Sequence, residues 1–421
     1  MDRQIKQAIQ THATPFQSNA DLKPIIGAIG DANIVLLGEA SHGTSEFYSI
    51  RAELTKRLIV DKGFEVIAVE GDWPACQKVN HYIKHYNAAP DIKEVLKAFN
   101  RWPSWMWANE EMAELFEWIK HYNLAQEKKI GFYGIDVYSL YESMDEIMNY
   151  LKETEAKGAD LELAKKAFHC LDASNRQEEQ YAISAAFFSE SCIDEVTKLL
   201  ASIRSHEGLY NSEQEEDLNL KMNALAAKNA ENYYRTMVQH DAESWNIRDR
   251  HMVEALEEIR TYYGDETKVI VWEHNTHVGD ASATDMNDAG MINVGQLLRE
   301  QNKKEDVFIV GFGTNKGSVI AAEEWGQNLE RKIVPQAVEG SWEHAMHQAG
   351  AHNKFLIFTN DNKHLFQQKI GHRAIGVVYN PEFESYGNYV PSVVGNRYDA
   401  FIYVDQSHAL HPIDVSPLLQ R

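Results

Sequence analysis

Cysteine is nearly absent from this 421-residue chain, with three residues, Cys76, Cys170 and Cys192, and no CxxC pair among them. Neither a thiolate zinc site nor a disulfide framework is expected, and the three read as reduced thiols that pack as small hydrophobes. No Pro-, Gly- or Ser-rich linker, internal repeat or low-complexity tract divides the sequence. No apolar run approaches the roughly eighteen residues that a membrane-spanning helix needs, so no membrane partner is expected. The stretch from Met1 to Gln17 has neither an apolar segment nor a small-residue cleavage site, which points to a cytoplasmic location. Positive charge is also short, since 41 Lys plus Arg against 63 Asp plus Glu leave a formal charge of −22. Such a chain repels nucleic-acid phosphates, and nucleic acid is not an expected partner.

Short, nearly continuous apolar runs recur, as in parallel strands buried on both faces. They are Asn33 to Leu37, Glu65 to Val69, Ile130 to Ile135, Val269 to Trp272, Val307 to Val310, Phe355 to Phe358, Ala374 to Tyr379 and Ala400 to Val404. Between the first two, Phe47, Ile50, Leu54 and Leu58 fall at helical spacing on a helix from about Thr44 to Asp61. The alternation predicts an α/β fold, three-layered with a mainly parallel sheet and large helical insertions. One catalytic domain, 1–421, would carry an aromatic-rich helical insertion at 73–129 and a second helical insertion at 139–264, where the strand signal vanishes.

In such a sheet the functional crevice lies beyond the carboxyl ends of the strands. The first strand leads into Gly38-Glu39-Ala40-Ser41-His42-Gly43-Thr44, the second into Glu70, the third into Asp136 and the fourth into Glu273-His274-Asn275-Thr276-His277. Histidine beside a carboxylate makes a general base near neutral pH, and His42 with Glu39 or Glu70 fits that role. Arg51, about one helical turn beyond Phe47, can reach back to fix a carboxylate or meet developing negative charge. His274 and His277 suit a turn or a metal, though the order differs from the helical HExxH pattern. Serine chemistry fares worse, because no GxSxG elbow exists and the adjacent Ser41 and His42 make a poor pair. Gly311 to Gly317 does not fit GxGxxG and reads as a tight turn. Trp105 and Trp107 are candidates for lining an apolar substrate cleft, with core packing the competing use.

Three segments resemble signatures of the erythromycin esterase family: Gly38 to Thr44, Arg101 to Trp107, and Trp272 to Asp280. Phe132 to Leu140, Trp245 to Met252, Asn293 to Leu298 and Arg373 to Tyr379 are similar as well, so the likeness runs through most of the chain in order. The resemblance implies hydrolysis of a macrolide's lactone ester by activated water, without a covalent enzyme intermediate and without a cofactor. It places the family's site on Glu39, His42, Arg51, Glu70, His274 and His277, with His42 as general base, and some members carry names from succinoglycan biosynthesis. Glu273 departs from the small residue found there in many members, and a carboxylate at that place favours a charged imidazole or a cation. Two other readings stay open. One is a metal-dependent hydrolase of another bond, built on a divalent ion held by Glu39, Glu70, His274 and His277. The other is a non-catalytic protein that binds a polyketide or sugar in an aromatic cleft.

Overall fold

A computed structural model describes residues 3–154, 159–172, 176–188, 191–206, 210, 213–264 and 266–414. The strands in chain order are β1 (Thr14–Pro15), β2 (Ile34–Leu37), β3 (Val66–Asp72), β4 (Gly131–Asp136), β5 (Val269–Trp272), β6 (Val307–Ala321), β7 (Glu330–Val334), β8 (Lys354–Ile357), β9 (Lys369–Arg373), β10 (Tyr389–Val393) and β11 (Ala400–Ser407). Backbone packing divides the chain into two compact units, 1–67 with 88–131 and 266–421, and 68–87 with 132–265. The expected insertion at 73–129 is therefore not one piece: helix Trp73–Ile83 belongs to the second unit and helix Glu110–Asn123 to the first.

In the first unit the strand order is β1-β8-β11-β6-β2-β5, with β7 on the far part of β6. The pairs β11 with β6, β6 with β2, and β2 with β5 are parallel, whereas β8 runs antiparallel to β11 and β7 to β6. The α/β architecture with a mostly parallel sheet is as expected. Ile34, Val35, Leu36 and Leu37 are wholly buried, and each such side chain contributes about 1.5–3 kcal/mol. Helix Ser45–Lys62 buries Phe47, Ile50, Leu54 and Leu58, the stripe expected of it. Glu46 in its first turn and Lys62 in its last complement the helix dipole. Gly63, at φ 71°, ends it by donating its N–H to Ile59 O at 3.2 Å.

Two expectations fail here for physical reasons. Residues 311–317 are not a tight turn, because β6 continues through them to Ala321. Glycine is needed there for close approach: a Cβ on Gly311 would lie 2.6 Å from the Tyr398 ring, and one on Gly313 2.7 Å from Phe401. Residues 374–379 form no regular strand, since Ile375 bridges to Ser41 while Val378 bridges to Ala322, so one run serves two partners.

In the second unit β3 lies beside β4, and its other elements among the described residues are helices. Helix Glu216–Met237 packs against helices Leu140–Glu153, Glu178–Phe188, Ile193–Ser205 and Asp241–Tyr263. The reading of all three cysteines as thiols is corrected here. Cys170 and Cys192, 22 residues apart in sequence, are joined as a disulfide because helices Ala159–Asp172 and Ile193–Ser205 pack together. Cys76 is a buried free thiol. No helix among the described residues is long and apolar enough to cross a membrane.

Candidate active site

β2 and β5 are parallel neighbours, so their carboxyl ends deliver the loops 38–44 and 273–277 to one edge of the sheet. Asn275 N–H donates to Glu39 O at 2.8 Å and ties the two loops together. The first loop is also held from behind. Ile320 and Leu410 donate backbone N–H bonds to Gly43 O at 3.0 and 2.9 Å, and Ser45 N–H donates to His408 O at 2.9 Å.

Within this frame Glu39, 1% exposed, uses both carboxylate oxygens. Oε1 accepts from His42 Nδ1 at 2.9 Å and Oε2 from Arg51 Nη2 at 2.5 Å. Since the carboxylate brings no hydrogen, His42 carries one on Nδ1, which leaves Nε2 as the basic nitrogen of the neutral ring. Arg51 is wholly buried, with its guanidinium carbon 4.5 Å from the ring centres of both Tyr48 and Trp272. Trp272 is itself fixed by an indole N–H to Thr55 Oγ1 at 3.0 Å. The His274 ring lies 4.9 Å from that of His42, centre to centre. Its Nδ1 accepts the N–H of Thr276 at 3.3 Å and meets the Thr276 hydroxyl at 2.8 Å. A neutral His274 therefore holds its proton on Nε2, as a donor. His277 is buried in the short helix Asn275–Val278. Ser41 bonds to the Thr44 hydroxyl while His42 turns to Glu39, so no serine–histidine pair forms.

The second unit holds its own cluster. Arg248 donates to Glu70 Oε1 at 2.6 Å and to both oxygens of Asp136, at 2.8 and 2.7 Å. It also lies over the Tyr138 ring, 4.9 Å from its centre. Sequence reasoning named Glu70 and Asp136 as strand ends but missed the arginine between them. Residue 248 sits 178 positions from Glu70 on a helix with charges on most sides, and no spacing rule connects them.

The structure does not assemble the two tryptophans as a binding surface. Trp105 and Trp107 are 1% and 4% exposed, and Trp107 packs edge-on against Tyr48, so core packing takes up their rings. Nor do the four proposed metal ligands form one set. Both oxygens of Glu39 are engaged, and among the described residues no three His, Cys, Asp or Glu side chains converge as a metal site. Arg51 beside Glu39 adds positive charge where a cation would have to sit.

The fold is of an α/β class already seen in solved structures. A succinoglycan biosynthesis protein superposes with TM-score 0.78 at 21% identity, covering 97% of each chain. A mutant of the erythromycin esterase EreC in its open conformation does so with TM-score 0.67 at 16% identity, covering 100% of this chain and 98% of that one. At such identities the likeness establishes the fold. The family follows from the sequence, because the pattern of erythromycin esterases matches residues 59–407 and the chain belongs to that family. Erythromycin esterase type II of Escherichia coli is 25% identical over 388 residues, which are 82% of this chain and 85% of that protein. The matched pattern begins downstream of Glu39, His42 and Arg51, so the geometry of that loop is an independent observation.

Proposed function

We propose that the protein hydrolyses a carboxylic ester, a lactone included, with water activated by His42. The observation that carries the reading is the buried Arg51–Glu39–His42 chain, in which His42 Nε2 is the basic nitrogen of a ring whose centre lies 4.9 Å from that of His274. His42 Nε2 takes a proton from water as its oxygen attacks the ester carbonyl carbon. Nε2–H of His274 meets the developing oxyanion. Glu39 stabilises the imidazolium that forms, and Arg51 holds the Glu39 carboxylate in place. The tetrahedral intermediate then expels the alkoxide, which takes the proton back from His42. The products are an acid and an alcohol, with a net gain of one water and no covalent enzyme intermediate. Glu70 lies in the second unit, where it accepts from Arg248, and Glu70→Gln tests separately whether it has any part in turnover.

The name of the related erythromycin esterase type II makes a macrolide lactone the substrate to try before other bulky lactones and simple esters. Mass spectrometry of each incubated with wild type and with His42→Ala tests the reading. Gain of one water with the wild type alone supports the reaction and its base together. Product formed equally by the variant would remove His42 from the mechanism, and no product from any ester would end the hydrolase reading.

A further inference from the structure

Behind the loops of the first unit lies a second buried polar chain that the proposed reaction does not use. Glu343 on helix Trp342–Gln348 and His372 on β9 are 0% and 1% exposed. His372 Nδ1 meets Glu343 Oε1 at 2.5 Å, and the same oxygen accepts the backbone N–H of Arg373 at 3.0 Å. On its other side, His372 Nε2 meets Asn275 Nδ2 at 3.2 Å and Tyr398 Oη at 3.1 Å.

Backbone polarity fixes the Asn275 amide and, through it, the His372 tautomer. Phe312 N–H donates to Asn275 Oδ1 at 3.2 Å, and Phe312 O accepts from Asn275 Nδ2 at 2.7 Å. The amide cannot turn over without opposing both groups, so its second Nδ2 hydrogen must point at His372 Nε2. That nitrogen is then the acceptor, and the ring's hydrogen sits on Nδ1, facing Glu343. Burial pushes the His372 imidazole below its usual pKa, against the pull of Glu343 and with the help of Arg397 and Arg373, which agrees with a neutral ring. Glu343, Arg373 and Arg397 are the charged groups that face it, with the Tyr398 hydroxyl as the remaining titratable neighbour.

Asn275 is where this chain meets the site. It follows His274 directly, and its N–H holds the Glu39 carbonyl. Its own carbonyl accepts from Arg397 Nη2 at 2.8 Å. A Cβ on Gly38 would lie 2.2 Å from Asn275 Oδ1, so the amide rests against the backbone that leads to Glu39. We propose that His372 is a positioning residue: neutral, donating to Glu343 and accepting from Asn275, it locks the amide that sets the spacing of the Glu39–His42 pair and the His274 ring. Its kinetic consequence rests on the hydrolase reading above. A charged His372 would turn Nε2–H against Nδ2–H, so protonation removes this bond and leaves the amide held by Phe312 alone.

The test uses the full chain and two variants. His372→Leu removes both bonds, whereas His372→Gln offers one donor and one acceptor in similar places. With an ester that the wild type turns over, kcat of His372→Leu falls about tenfold or more while KM stays within about twofold, and His372→Gln recovers most of the loss. A folded His372→Leu with wild-type kcat, or a His372→Gln no better than it, overturns the proposal. Nitrogen-15 NMR of histidine-labelled wild type supplies a readout that needs neither turnover nor a folded variant. His372 should show a neutral Nδ1–H ring from pH 8 down to about 6, the ordinary histidine range, and an Nε2–H or charged ring at neutral pH overturns the lock. If no ester is hydrolysed, the hydrolase reading fails alone, and the tautomer still decides this one.

Discussion

Arg51→Met keeps a long side chain between the Tyr48 and Trp272 rings but removes the charge that faces Glu39. The pair is 2.5 Å apart, and both side chains are at most 1% exposed, so neither charge can turn to water when the other is lost. Removing one partner of such a pair costs about 3–5 kcal/mol, because the remaining carboxylate stays buried with only His42 against it. Methionine retains part of the contact with the two rings, which keeps the packing loss small beside this electrostatic one. Glu39→Met should cost a similar amount for the mirror-image reason. The double variant should cost much less than the sum, since apolar replacement of a whole buried pair is often neutral, and a coupling of about 3 kcal/mol is expected. Urea unfolding followed by the fluorescence of the nine tryptophans measures all four proteins. The coupling should hardly change with added salt, which screens exposed pairs and not buried ones. A single variant costing under about 1 kcal/mol, or an additive cycle, would refute the claim that Arg51 and Glu39 form one buried unit.

His42→Ala should fold as the wild type does and lose activity by about a hundredfold or more, the usual cost of a missing general base, and steady-state kinetics on the substrate found by mass spectrometry will read it. Gly43→Ala would place a Cβ 2.0 Å from Ile320 O, pushing the loop off β6, and a loss of about 1–3 kcal/mol is expected in the same urea assay, with none observed if the loop is free to move. His251 is held neutral, its pKa pushed down to about 4 by burial against the pull of Asp136 and Glu254. A folded-state value below the unfolded one gives stability that is complete above about pH 6.5 and falls away towards about pH 4, on the order of 3 kcal/mol from this group. His251→Gln should flatten that part of the pH profile, and an unchanged profile would show that the ring is accessible to protons in the fold.

β2 and β5 were legible because strands buried on both faces write themselves as unbroken apolar runs, and helix Ser45–Lys62 was legible from its stripe. β6 was read short because its glycines and its Thr314-Asn315-Lys316 stretch look like a turn. Those glycines answer to Tyr398 and Phe401, which lie far along the chain and which no local pattern can reveal. The same limit hid the disulfide, since the closeness of Cys170 and Cys192 comes from two helices packing together and not from any Cys spacing.

The site shows where local reading ends and where it could have gone further. Glu39 and His42 are three residues apart, so their pairing was within reach, whereas Glu70, Asp136 and Arg248 meet only through the fold. Arg51 is the instructive case. Phe47, Arg51, Leu54 and Leu58 follow spacings of four, three and four, so the arginine occupies a core position in an apolar stripe. An unpaired charge there would cost several kcal/mol, more than a marginally stable fold can leave uncompensated. A buried carboxylate partner is thus demanded by the helix pattern alone. The carboxylates nearest in sequence include Glu46 and Glu53 on the same helix, but Glu46 lies in the first turn and Glu53 two positions along, off the stripe on which Arg51 sits. Of the strand-end carboxylates Glu39, Glu70, Asp136 and Glu273, the fold brings Glu39 to it, and a carboxylate fixed from one side by a buried arginine has its other oxygen left for the histidine three residues on.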